Sequence, residues 1–219
     1  MNKKQLRIAL LQSIASQLSE EGFILKVEKD RFIRPHQGVV DIFQLVFLDA
    51  KDTLRIQPNV SVRIECVENI FHQTSNFEAK FQNDTPTIGI SVGHLIGGNN
   101  QACEFILRQN SEVLTTAKEI VSVFKKIALP YFQKYDSIKA IDAELNSEPT
   151  KLTLHRIAPW LRCATGIIVA KLVNRPNYDQ LVQVYSKVMS SSDKGFYFRR
   201  FKALVKSLEL FRGELQVEN

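Results

Sequence analysis

VVDIFQLVFLD, residues 39–49, decides the fold. Its Val, Ile, Leu and Phe side chains fall on both faces of an extended chain. A strand that is apolar on both faces belongs in the interior of a sheet, with other elements packed over it. Just before it, Phe23, Leu25 and Val27 alternate with Lys26 and Glu28, "KD" at 29–30 has turn chemistry, and "RFIR" at 31–34 continues as a partner strand. That is a hairpin. Just after it, "LRIQPNVSVRIE" at 54–65 alternates without error. Leu54, Ile56, Val60, Val62 and Ile64 take one face, while Arg55, Gln57, Asn59, Ser61, Arg63 and Glu65 take the other. Pro58 cannot donate to a ladder, so an edge position or a bulge is expected there.

Further along, "VENIFHQ" has helical spacing, and "NFEAKF" at 76–81 alternates as a strand would. "TPTIGISVG" at 85–93 and "ACEFILR" at 102–108 read as two more strands, with "GGNN" at 97–100 as a hairpin loop between them. Upstream of the sheet, Leu6, Leu10, Ile14 and Leu18 recur every four residues, an amphipathic helix rather than a leader segment. From Ser111 onwards the signals are helical. Val113, Ala117, Ile120, Val121, Phe124 and Ile127 form a stripe that Pro130 is expected to end. A short helix follows at 138–145, then "PWLRCATGIIVAKLV", apolar almost all round as a central helix is. An amphipathic "NYDQLVQVYSKVM" comes next. The last helix is expected over 193–212, with Ser192 as N-cap, a core stripe of Phe201, Leu204, Val205, Leu208 and Phe211, and Gly213 as its stop. Strands segregated from helices make the class α+β: an N-terminal helix and antiparallel sheet over 1–110, then a helical half over 111–219 that could pack with the first as one domain.

Composition is that of a globular protein, with 44% hydrophobic and 24% charged residues. Cys66, Cys103 and Cys163 are far apart and odd in number, so they read as free thiols of a reducing compartment. No apolar run reaches the ~18 residues of a membrane span, and a cytoplasmic location is expected. The net charge of +6 is uneven: residues 1–108 balance at 12 cations and 12 anions, while residues 109–219 carry 17 and 11. Such asymmetry suits an anionic partner or mere solubility.

Four constellations are candidates for chemistry. Glu68 and His72 lie four apart on a helix and could share a metal, with Cys66 close in sequence. A zinc site needs a third ligand, and His36, His94 and His155 sit in no partner motif, so no metal is expected and a solvated helix face is the bland alternative. Glu78 and Lys80 share a face of the strand read at 76–81. With Asp41 or Asp49 they would form the Mg²⁺-binding Glu-x-Lys arrangement of restriction-type nucleases. Covalent catalysis is not supported: Cys66 and His72 are near only in sequence, and no serine elbow, phosphate loop or dinucleotide loop is read. The third candidate is the polar sheet face of Arg55, Gln57, Asn59, Arg63 and Glu65, whose donors suit directional bonds to a partner. The fourth is the last helix, where Arg199, Lys202 and Lys206 share an outer face with Arg200 beside it. Phe196, Tyr197 and Phe198 precede them and offer stacking for an anionic, nucleic-acid-like ligand.

The segments "EEGFILKVEKDRFIRP", "VVDIFQLVFLD" and "IQPNVSVRIE" together resemble uncharacterised bacterial α+β domains of the unknown-function kind, some of them immunity-protein-like, over residues 1–65. The resemblance implies a bacterial interaction protein and brings no functional residues with it. The expected function is therefore a non-enzymatic, protein-binding role through the sheet face, without cofactor. Nucleic-acid binding through the basic C-terminal helices is the alternative, and a metal-dependent nuclease comes third.

Overall fold

The computed structural model describes residues 2–210, apart from the side chain of Asp193. The expected helix end at Arg212, its core residue Phe211 and the stop at Gly213 lie outside the described residues. The fold is α+β, and the chain forms two compact units. The first takes the residues up to Arg63 together with Ile88–Asp136. The second takes Ile64–Thr87 and the chain from Ser137 onward. The division therefore does not fall at residue 110, because a helical excursion between two sheet strands belongs to the second unit.

In the first unit, helix α1 (Lys3–Leu18) opens with a capping box. Asn2 accepts from the Gln5 N–H, and the Gln5 side chain accepts from the Asn2 N–H. Its Leu6, Leu10, Ile14 and Leu18 are buried along with Leu11, as the four-residue spacing requires. Strand β1 (Ile24–Lys26) pairs antiparallel with β2 (Arg31–His36), and Leu25 stands opposite Phe32. Val27 leaves the strand for a 3-10 turn that ends on Asp30 at φ 51°. Strand β3 (Val39–Asp49) follows through Gln37 and Gly38, both at positive φ, the two-residue hairpin geometry whose twist matches the strands.

Strand β3 lies third from the β1 edge, in the sheet interior as its composition demands. Its Asp41, Phe43 and Leu45 are buried, whereas Val40, Gln44 and Val46 opposite are half-buried and Ile42 is buried. The rings of Phe23, Phe43, Phe124 and Phe132 meet at centroid separations of 5.0–5.5 Å, so the helix carrying Phe124 and Phe132 supplies the cover.

Strand β4 (Leu54–Ile64) corrects the reading of Pro58. The strand is not an edge. It has β3 on one flank, while on the other β5 (Ile88–Ser91) pairs with Asn59–Val62 and β6 (Phe105–Leu107) pairs with Leu54–Ile56. Both run antiparallel to β4, so β5 and β6 are two halves of one interrupted strand and not a hairpin. The interruption, which holds the one-turn helix α4 (Val92–Leu95), falls opposite Gln57 and Pro58. A residue without an N–H sits where no ladder partner exists.

Pro130 also behaves differently from expectation. Helix α5 (Val113–Val123) passes through a π-turn at Phe124–Ala128 into α6 (Leu129–Lys134). The Leu129 N–H bonds to the Phe124 carbonyl, five residues back, so the wider turn admits the proline ring without ending the helix.

The second unit contains α2 (Glu65–His72), α3 (Ala79–Gln82), α7 (Ile138–Asn146), α8 (Pro159–Leu172), α9 (Tyr178–Ser191) and α10 (Phe198–Leu210). Helix α8 is central. Every residue from Arg162 to Ala170 is buried, and α2, α7, α9 and α10 pack round it. Gly166 permits the closest approach: a Cβ there would stand 2.8 Å from Tyr185 Cε2 and 2.9 Å from Asn146 Oδ1. Around it, Tyr185 donates to Asn146 Oδ1 at 2.5 Å, and Asn146 donates to Asp142 at 2.7 Å and to the Gly166 carbonyl at 2.8 Å. Arg162 closes the end of α7 by donating to the carbonyls of Leu145, Glu148 and Pro149. Among the described residues, no helix is long and apolar enough to cross a membrane. The three cysteines are free thiols.

Candidate functional site

The polar face of β4 is partly covered: Gln57 and Arg63 are buried, while Arg55, Asn59 and Ser61 are half-buried. Arg55 donates two parallel bonds, 2.8 and 2.9 Å, to the Glu104 carboxylate, and Gln57 donates a third at 2.6 Å. The Arg55 bond holds the Glu104 carboxyl below its usual range. Arg63 is buried, at 3% exposure, and Asn59 lies in the ladder opposite Ser91. Glu65 is not on the face at all, since it opens α2 in the second unit. Alternation places Arg55, Gln57, Asn59 and Arg63 along β4 and Glu65 beyond its end. It could not show that a carboxylate 49 residues from Arg55 lies against it.

Glu68 and His72 are not a solvated helix face. Glu68 is fully buried and accepts from the hydroxyls of Thr85 at 2.6 Å and Thr87 at 3.0 Å. With Thr85 donating to Glu68, His72 Nε2 donates to Thr85 at 2.7 Å and Nδ1 accepts from Ser75 at 2.8 Å. Arg156, also buried, donates to the Pro86 carbonyl at 2.6 Å. Burial pushes its pKa down, and the charge of Glu68 opposes that shift. This network ties residues 75–87 to α2, which is a structural role. Among the described residues no group of three His, Cys, Asp or Glu could hold a metal ion. Burial raises the Cys66 thiol, which is the wrong direction for a nucleophile.

The strand needed for a Glu-x-Lys site does not form. Residues 75–78 are irregular, Glu78 precedes α3, and Lys80 pairs with it at 2.8 Å in the open. Asp41 is engaged in the first unit, bonded by Arg34 at 2.8 Å and by His36 at 3.0 Å. The alternation at 76–81 was fortuitous: Phe77 packs against Phe71 and Trp160, while Phe81 is exposed.

One motif escaped the sequence reading. Gly89-Ile90-Ser91-Val92-Gly93 does have the Gly-x-Ser-x-Gly spacing, and Ser91 ends a strand before a helix. The geometry explains it without catalysis. Ser91 has ordinary extended angles, φ −71° and ψ 146°, and its Oγ caps the His94 N–H and meets His94 Nδ1 at 2.6 Å. No carboxylate orients His94 among the described residues. The glycines are packing requirements, because a Cβ on Gly93 would stand 2.0 Å from the Asn99 carbonyl oxygen and one on Gly89 would stand 2.7 Å from Ser61 Cβ.

The arrangement left open to a ligand lies in the second unit, beside the start of α8. Trp160 stacks on Tyr197 with centroids 4.6 Å apart and planes 9° from parallel, and Phe71 and Phe77 pack against it at 5.8 and 6.2 Å. Trp160 and Tyr197, with Ala158, Pro159, Lys194 and Phe196, border an open cleft of about 540 Å³. Phe196 is 68% exposed at its rim, and the Arg200 guanidinium stands 5.9 Å from its ring centre and 6.0 Å from that of Tyr197.

A turn creates this corner. Helix α9 ends at Ser191, and Ser192 is its C-cap, not the N-cap of the next helix. Lys194 and Gly195, at φ 54° and 75°, then turn the chain so that Phe196 and Tyr197 reach Trp160 before α10 begins at Phe198. The helix expected from residue 193 therefore starts five residues later. Of its expected core stripe, Phe201, Leu204 and Leu208 are buried and Val205 is half-buried, while Arg199, Lys202 and Lys206 are exposed without an ion pair among the described residues. No protein-family model, curated protein or solved structure matches the chain.

Proposed function

We propose that this chain is a non-enzymatic protein-binding protein whose contact surface is the aromatic corner of the second unit, and not the sheet face. One observation carries the reading: Phe196 stands open beside the Trp160–Tyr197 stack, with Arg200 against its ring. Large aromatic side chains and Arg are the residues that concentrate binding energy at protein interfaces, and here an exposed ring, a ring stack and a guanidinium lie together. The candidate chemical groups elsewhere are occupied by one another, which supports binding over catalysis.

Full-length protein used as bait in lysate of its source cells should retain a protein partner. The double variant Phe196→Ala/Lys202→Glu should lose it while melting at the wild-type temperature. Retention by that folded variant would refute the assignment. A second reading is favoured by the exposed Arg199, Lys202 and Lys206, which could contact phosphates. Three such contacts on a single strand would give a slope of about −2 in log affinity against log salt.

A further inference from the structure

We infer that the cleft beside Trp160 seats one bulky apolar side chain from an acidic protein segment, and that the outer face of α10 holds the acids beside that anchor. The inference rests on the protein-binding reading and adds the chemistry of the partner. The cleft, about 540 Å³, is shallow and open to solvent, so it takes one side chain such as Phe or Leu laid against its rings and does not enclose a free small molecule. Its lining is ring and aliphatic surface, with Lys194 as the charged member.

Two observations distinguish a side chain from a nucleic-acid base. Trp160 already stacks on Tyr197 almost in parallel and is packed by Phe71 and Phe77, so these rings do not form an open slot that would sandwich a base. The cleft is bordered by Ala158 and Pro159 beside the rings, an aliphatic edge that suits a peptide better than a phosphate backbone. Charge selects the partner's sign: residues 186–208 contain Lys187, Lys194, Arg199, Arg200, Lys202 and Lys206 against the single acid Asp193. Arg199, Lys202 and Lys206 lie three and four residues apart along one face. At ~1.5 Å per residue that row is about 10 Å long, the span of roughly three residues of extended peptide. The recognised segment therefore has an apolar anchor with two or three acids within a few residues of it.

The test is selection of random twelve-residue peptides displayed on phage against the full-length protein. Enriched peptides should share an apolar anchor flanked by acids. Titration of a selected peptide should change the emission of Trp160, the only tryptophan in the chain. Affinity should fall at least about tenfold in Phe196→Ala and again in Arg199→Glu/Lys202→Glu, both checked for wild-type melting. Peptides that bind Phe196→Ala equally and leave Trp160 emission unchanged would overturn the cleft assignment while leaving a protein-binding role standing. Failure to enrich any peptide, with a twelve-residue oligothymidylate binding instead, would overturn both.

Discussion

Replacing Gly166 by alanine sets two effects of known sign against each other. Gly166 lies in the middle of α8, where alanine is favoured by about 1 kcal/mol in helix propensity. The added Cβ, however, would meet Tyr185 Cε2 at 2.8 Å and both Tyr185 Oη and Asn146 Oδ1 at 2.9 Å. Ordinary contacts begin near 3.4 Å, so each neighbour must retreat by about half an ångström. Neither is free to do so. Tyr185 and Asn146 are both buried and bonded to each other at 2.5 Å, and Asn146 is held from two further sides. Overpacking of this kind costs about 1–3 kcal/mol, and losing the Tyr185–Asn146 bond adds about 1 kcal/mol. After subtracting the propensity gain, Gly166→Ala should destabilise the second unit by about 1–3 kcal/mol. Urea unfolding followed by Trp160 fluorescence reads that unit directly. An unchanged or raised midpoint at constant slope would show that propensity dominates and that the close packing round Gly166 is not as described.

Other outcomes follow from the same contacts. Glu68→Ala strips the buried hydroxyls of Thr85 and Thr87 of their acceptor and should cost about 1–3 kcal/mol, seen as an early loss of Trp160 signal in urea; an unchanged midpoint would contradict the buried network. Glu104→Ala should cost about 1–2 kcal/mol because buried Gln57 loses its acceptor, whereas a freely solvated sheet face would be indifferent. Burial pushes the Cys163 thiol and the Tyr178 hydroxyl each up to about 12. Both groups are raised when folded, so their contribution is complete below the ordinary thiol range and is lost as pH rises towards 12. Unfolding free energy from urea titration should therefore fall above about pH 9, by up to about 1.4 kcal/mol per pH unit for Cys163, with the half-buried tyrosine adding a smaller loss only above about pH 10, and a flat profile would contradict it.

Periodicity carried most of the architecture. The two-sided apolarity of Val39–Asp49, the alternation of Leu54–Ile64 and the all-round apolarity of α8 each reflect burial that repeats with the local backbone geometry. What periodicity missed was set by distant partners or by single backbone angles. The interrupted β5–β6 strand is invisible locally because both halves read as ordinary short strands, and only their common partner β4 joins them. Pro130 reads as a stop because a π-turn has no sequence period of its own. The sheet face looked open because Glu104 lies far along the chain from Arg55. In the aromatic corner, Phe196 and Tyr197 were visible as residues beside cations. Their stacking on Trp160 depends on positive φ at Lys194 and Gly195, which composition does not announce.

The most direct measurement of the binding account places a photo-crosslinking phenylalanine analogue at position 196 and, separately, at position 59 of the full-length protein in its source cells. Irradiation should join another protein to the position-196 chain, while the position-59 chain remains uncrosslinked to any partner. A partner captured at position 59 and not at 196 would return the site to the sheet face. Nucleic acid captured at 196 would contradict the protein-binding claim itself.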